Sequence, residues 1–225
     1  LPSVVPAPAS ITLAGSAPFA LVAETPIVGD AEAASALRSL VETRTGLALA
    51  TRRADVGRSA ASDGTESAIV LEITGDGPAE SYRLAVTEAS IVVSGADAAG
   101  LFYGVQTLGQ LLSPTALGWQ VPAVTIADAP RFAYRGVMLD VARHFHDVAT
   151  VKAFIDRASA LKFNALHLHL TDDQGWRLQL ESRPLLTEKA SATSVGGDPG
   201  GFYTHDDYRE IIDYAGAHHM LVVPE

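Results

Sequence analysis

Asn164-Ala165-Leu166-His167-Leu168-His169-Leu170-Thr171-Asp172-Asp173-Gln174-Gly175-Trp176 is the stretch that decides the fold. Ala165–Leu170 is a short apolar run that reads as a strand. On its amino side, Thr150 to Phe163 carries Val151, Phe154, Ile155, Ala158 and Leu161 on one helical stripe, with Asn164 as a stop. Val137–Val141, before that helix, is a second short apolar strand. Further on, Thr204 opens another helix with Asp207 three residues later as its capping-box partner; Tyr208, Ile211, Ile212 and Ala215 face inward. Met220–Val223 is a third strand. The alternation β-α-β-α-β predicts a parallel sheet with right-handed crossovers, open or closed.

Upstream of about residue 130 the texture differs. Ala31 to Thr45 is helix-like, with Leu37, Leu40 and Val41 at helical spacing and Gly46 as a stop. Leu47–Thr51 and Ala68–Thr74 read as strands, and the polar segment Arg53 to Glu66 between them as a surface loop. Tyr82, Leu84 and Val86 alternate with Arg83, Ala85 and Thr87, and Ile91–Val93 completes a hairpin. Asp97 to Leu112 is a second helix with Leu101, Val105, Leu108 and Leu112 on one stripe. Pro114, Pro122 and Pro130 mark the stretch after it as linker and seam. The expected organisation is an α+β domain over residues 1–128, then a second domain over 129–225.

Composition narrows the function. The 225 residues are 48% apolar and 19% charged, which suits a folded core rather than disorder. A net charge of −10 and a pI near 5.1 repel phosphate backbones and anionic membranes, so no nucleic-acid partner is expected. The absence of cysteine removes disulfide scaffolds, zinc ribbons, iron–sulfur clusters and thiol catalysis. Leu1 to Ala23 is uncharged, but Pro2, Pro6, Pro8 and Pro18 break any helix there, so no membrane span is expected. The segment reads as an extended leader into a first strand. A secreted or periplasmic protein that has lost its signal would look like this, and so would a trimmed chain.

In parallel α/β folds, active sites gather at the carboxyl ends of the strands. Here those ends carry Asp140, Arg143, His144 and His146; then Thr171, Asp172, Asp173, Gln174 and Trp176; then Glu225. The planar guanidinium of Arg143 suits neighbouring sugar hydroxyls or a carboxylate, though a surface arginine fits the same position. Asp172 and Asp173 would repel if both faced one cavity, so one is expected to serve the site and the other a turn or cap. His167 and His169 share one face of their strand. Without a third ligand they read as a structural pair, and a metal site is the alternative. Trp176 is assigned to packing under the loop rather than to stacking on a sugar. His218-His219 is read as solvated, and Gly196 to Gly201 as a flexible loop lacking the Lys and Ser/Thr of a phosphate loop.

The motifs resemble a known family. Arg135-Gly136-Val137-Met138-Leu139-Asp140-Val141-Ala142-Arg143-His144-Phe145 is similar to the first barrel strand of family 20 glycoside hydrolases, the β-N-acetylhexosaminidases. The stretch from Asn164 to Trp176 resembles the second strand, and Leu221-Val222-Val223-Pro224-Glu225 the opening of the third-strand motif. Gly100-Leu101-Phe102-Tyr103-Gly104-Val105-Gln106-Thr107-Leu108 resembles the end of the α+β domain that precedes the barrel. The resemblance therefore implies an α+β N-terminal domain followed by the first part of a (β/α)8 TIM barrel, truncated after the third strand.

The activity it implies is removal of terminal N-acetylglucosamine or N-acetylgalactosamine from glycans or chitooligosaccharides. Retention arises because the substrate's own acetamido oxygen attacks the anomeric carbon. Neither cofactor nor metal is implied. By resemblance, Arg143 binds hydroxyls at the non-reducing end and Asp172 joins a hydrogen-bond network toward the acid. Asp173, Glu225 and His169 are candidates for supporting positions behind them. The family's adjacent Asp-Glu pair, stabiliser and general acid, has no counterpart in these residues. The 225-residue chain is therefore expected to be inactive by itself, with the remainder of the catalytic barrel as its implied partner. The alternatives are a non-catalytic carbohydrate-binding or interaction fragment, and a metal-dependent barrel hydrolase using His167 and His169.

Overall fold

The computed structural model describes residues 1–52 and 67–225, and the expected loop Arg53 to Glu66 lies outside them. The chain divides into two compact units, Leu1–Arg131 and Phe132–Glu225. Among the described residues no helix is long and apolar enough to cross a membrane.

The first unit runs β1 (Ser10–Leu13), β2 (Phe19–Leu21), β3 (Ile27–Gly29), α1 (Ala31–Thr45), β4 (Thr51–Arg52), β5 (Ala68–Ile73), β6 (Tyr82–Val86), β7 (Ser90–Gly95), α2 (Ala98–Leu111), β8 (Ser113–Thr115), β9 (Gly118–Val121) and β10 (Val124–Asp128). Seven strands form one mixed sheet in the order β1-β10-β6-β7-β5-β3-β4, while β2, β9 and β8 form a small second sheet. Strand alternation is as the sequence predicts: Tyr82, Leu84 and Val86 are buried while Arg83 is exposed. The buried row joins Leu37 and Val41 of α1 and Leu101, Val105 and Leu108 of α2 in one apolar core. Full burial of each such aliphatic side chain contributes about 1.5–3 kcal/mol. Asp30 caps α1 by accepting from the Glu32 and Ala33 amides, and Gly46 ends it in the left-handed region at φ 76°.

Two expectations fail in this unit. The supposed linker around Pro114 and Pro122 is largely strand, and β10 pairs with both β1 and β6 inside the large sheet. Its prolines lie in β8 or between β9 and β10, where no ladder donor is needed. The strand expected over Leu47–Thr51 shrinks to Thr51–Arg52, the residues that pair in register with Ile27 and Val28 of β3.

The second unit runs β11 (Gly136–Asp140), α3 (Val148–Ala160), β12 (Ala165–His169), β13 (Thr171–Asp172), β14 (Gly175–Trp176), α4 (Leu185–Ala190), α5 (His205–Ala217) and β15 (Leu221–Pro224). β11, β12 and β15 pair in parallel, in that order. Leu166 and Leu168 of β12 are fully buried and cluster with Val151 and Ile155 of α3 and Ile211 and Ala215 of α5. His167 and His169 point to the opposite side of the strand. The capping box at Thr204 forms as predicted, with Thr204 accepting from the Asp207 amide and the Asp207 carboxylate from the Thr204 amide.

Local departures have simple causes. Leu161, expected on the buried stripe of α3, is exposed because it follows the last helical residue and the chain turns at Lys162, φ 65°. Ile212 is exposed because it lies one residue, about 100° of helix, from the Ile211–Ala215 stripe. His218 is not freely solvated: its ring packs 4.5 Å from that of Tyr214, and Nε2 lies 3.3 Å from Asp156.

Candidate active site

Parallel register places Asp140, the last residue of β11, opposite His169, the last residue of β12. The chain after β11 curls back onto the Asp140 carboxylate: Oδ1 accepts from the amides of Ala142 (3.1 Å) and Arg143 (2.9 Å). Oδ2 of Asp140 accepts from Nη1 of Arg143 at 2.9 Å, so backbone and guanidinium are fixed by one residue. The other guanidinium nitrogen, Nη2, lies 2.5 Å from Oδ2 of Asp172. That same oxygen lies 2.8 Å from His169 Nε2. His169 Nδ1 faces Oε2 of Glu225 at hydrogen-bond distance, and His167 Nε2 lies 3.2 Å from the same oxygen. Residues from all three strand ends therefore form one connected network, Asp140–Arg143–Asp172–His169–Glu225–His167.

Its electrostatics follow from these contacts. Both ring nitrogens of His169 face carboxylate oxygens, so the imidazolium, with two N–H donors, satisfies both. The bonds to Glu225 and then Asp172 raise the pKa of His169, against the effect of burial. Asp172 is held below the usual carboxylate range by the Asp173 amide and then by His169. Glu225 is lowered by its bonds to His169 and His167. Burial pushes Asp140 up, but the backbone and side-chain bonds from Arg143 more than offset it.

Asp172 and Asp173 diverge because β13 ends at Asp172 and the chain turns at Asp173. Asp172 turns into the network, whereas Asp173 sits exposed in the turn between β13 and β14, its amide donating to Asp172 Oδ1 at 2.8 Å. His167 and His169 are both directed onto Glu225, and among the described residues no group of three His, Cys, Asp or Glu side chains is arranged to hold a metal. Trp176 is half-buried, its indole N–H donating to the Leu178 carbonyl. His144 and His146 line an open cleft of about 530 Å³ together with Phe145, Asp147 and Asp198.

Sequence reasoning missed Arg177, which is fully buried. Its Nε donates to the Val141 carbonyl (2.9 Å), Nη1 to those of Ser191 (3.0 Å) and Gly201 (3.1 Å), and Nη2 to those of Ala142 (2.7 Å) and Thr193 (2.8 Å). Nη2 also reaches Ser194 Oγ at 3.2 Å. A Cβ on Gly175 would lie 2.3 Å from the Arg177 Cζ, so the glycine makes room for the guanidinium. The loop read as flexible, Gly196 to Gly201, is instead knitted by a Thr193–Pro199 bridge and by the Ser194 amide on the Asp198 carbonyl (3.0 Å). Nothing in the local pattern marks Arg177 as interior, since its acceptors are carbonyls from distant segments.

Two family models cover almost all of this chain. The model for glycosyl hydrolase family 20, domain 2, matches residues 1–129, and the model for the family's catalytic domain matches residues 132–225. The chain belongs to glycosyl hydrolase family 20. A family 20 relative, the "Beta-N-acetylhexosaminidase" of Cellulomonas fimi, is 40% identical over 99% of this chain and 45% of its own length. A solved structure of a family 20 β-N-acetylglucosaminidase superposes with a TM-score of 0.87 at 62% identity, covering 100% of this chain and 42% of that one. A mutant β-hexosaminidase of Streptomyces plicatus in complex with its product GlcNAc gives a TM-score of 0.86 at 41% identity, covering 98% of this chain and 45% of that one. The chain thus spans a little under half the length of these family 20 relatives. It comprises the family's N-terminal domain and part of its catalytic domain.

Proposed function

We propose that the protein carrying this chain is a β-N-acetylhexosaminidase and that these residues supply its sugar-recognising face. The parallel strands β11, β12 and β15 would be the first three of a (β/α)8 barrel. The observation that carries the reading is Arg143, a half-exposed guanidinium braced between Asp140 and Asp172 at the carboxyl ends of the strands. Two of its five N–H donors are spent on those carboxylates, which leaves three for the hydroxyls at the non-reducing end of a terminal N-acetylhexosamine. The paired carboxylates hold the fork in place before substrate arrives, so its ordering cost is already met in the free protein.

Asp172 and His169 would form the inner part of a relay toward the general acid, with Glu225 holding the imidazolium from its other side. Asp173 would serve the turn alone. In the reaction the acetamido oxygen of the substrate forms a bond to the anomeric carbon as the glycosidic C–O bond breaks. The acid gives its proton to the leaving oxygen, and water later opens the cyclic intermediate with net retention. No Asp-Glu dipeptide occurs in the 225 residues, so the acid and stabiliser would come from the remainder of the barrel. Substrates would be glycans or chitooligosaccharides ending in N-acetylhexosamine.

The test compares 4-nitrophenyl N-acetyl-β-D-glucosaminide with 4-nitrophenyl β-D-glucoside, using the full-length protein. Because the acetamido group is the nucleophile, only the first should be hydrolysed. Equal turnover of both, or none of the first, overturns the reading.

A further inference from the structure

Arg177 makes the densest side-chain hydrogen-bond set described in the second unit, yet it does not reach the strand-end network. Its six acceptors are five backbone carbonyls and the Ser194 hydroxyl, and no carboxylate is among them. Two of the carbonyls, Val141 and Ala142, are the residues immediately before Arg143. Three more, Ser191, Thr193 and Gly201, belong to the segment that flanks them. That segment in turn holds the backbone of Arg143 and its neighbours: the Val195 amide donates to the Arg143 carbonyl at 2.8 Å, and the Phe145 amide to Ser194 Oγ at 3.3 Å.

The main chain of Arg143 is therefore gripped from two sides, by Asp140 at its amide and by the 191–201 segment at its carbonyl. Arg177 bonds both to the carbonyls just before Arg143 and to the 191–201 segment. A planar fork with five donors can satisfy acceptors converging from several segments, whereas an ammonium offers only three donors around one point. Buried carbonyls left without donors are costly, so loss of the fork would let the 191–201 segment and the 141–143 turn separate.

We propose that Arg177 is a positioning residue that sets the sugar-binding geometry of Arg143 by tying the turn after β11 to the 191–201 segment. The proposal rests on the reading of Arg143 as the group that binds the non-reducing end. It assigns Arg177 no contact with substrate.

The experiment measures kcat and KM of the full-length protein on 4-nitrophenyl N-acetyl-β-D-glucosaminide and on the matching galactosaminide, which differs in one hydroxyl at the non-reducing end. Arg143→Lys, Arg177→Lys and the double variant are compared with wild type, each shown folded by circular dichroism. Arg177→Lys should lower kcat/KM about tenfold, mainly through KM, and shift the gluco/galacto ratio in the same direction as Arg143→Lys. The double variant should lose less than the product of the single losses, because both changes act on one contact. If Arg177→Lys lowers both substrates equally and the double loss is multiplicative, Arg177 is merely structural and the proposal falls. If Arg143→Lys itself changes nothing, the reading of Arg143 falls first. Should Arg177→Lys fail to fold, Ser194→Ala takes its place, because it removes one Arg177 acceptor together with the Phe145 contact. A ratio shift in the same direction, about two- to fivefold in size, then supports the proposal, and an unchanged ratio overturns it.

Discussion

Replacing Arg143 with lysine keeps the charge and removes the fork, and the structure sets the size of the effect. Arginine has five N–H donors, of which Asp140 and Asp172 engage two at 2.9 Å and 2.5 Å. Lysine has three donors, so with the same two carboxylates held it keeps one for the sugar where arginine keeps three. Arg143 is 43% exposed, which places each lost contact at the weak end for bonds to a charged group, roughly 1.5 kcal/mol. One lost sugar contact then lowers kcat/KM by roughly tenfold, and two by roughly a hundredfold. Initial rates on 4-nitrophenyl N-acetyl-β-D-glucosaminide, with circular dichroism and a thermal melt as folding controls, measure this directly. A folded Arg143→Lys protein within about threefold of wild type would refute the reasoning and return Arg143 to the status of a surface arginine.

The carboxylate pair separates by pH. His169 is raised above its ordinary value of 6.5 by Glu225 and Asp172, so the stability its charged form contributes is complete below that value and fades as pH rises through the raised pKa. Asp172→Asn removes one of those partners and should move the His169 titration, and any limb of the pH–rate profile it sets, to lower pH. Asp173→Asn should leave the profile in place, and NMR titration of the imidazole checks both. In the first unit, Asp97 caps α2 through the Gly100 amide and also accepts from the Glu80 amide, both at 2.8 Å. Asp97→Ala should cost about 1–2 kcal/mol in denaturant unfolding without altering KM. The isolated 225-residue chain, freed of host hexosaminidase, should show no turnover of the chromogenic substrate.

The candidate site was largely legible because its members follow strands whose pattern is local. Asp140, Arg143, Asp172 and Glu225 could each be placed by finding where an apolar run ends. That Asp172 and Asp173 take different roles followed from the repulsion of two carboxylates in one cavity. The partners of His169 were less accessible, since they depend on which strand lies beside which and in what register. The prolines after α2 misled because proline speaks against a ladder donor at its own position. It does not prevent the neighbouring residues Val124–Asp128 from pairing on both sides.

By itself the amino-acid sequence determined the periodicities, the capping box at Thr204, the break in texture near residue 130 and the strand-end polar residues. Those properties are written in residues a few positions apart, within reach of one backbone turn or one pleat. Only the tertiary structure decided that β10 is an inner strand, that the glycine-rich 196–201 stretch is knitted in place, and that Arg177 is interior. For β10 and Arg177 the deciding partners are backbone groups of distant segments, and for 196–201 they are backbone groups across the loop itself. Every residue type but proline carries both groups, so no side-chain pattern could announce them.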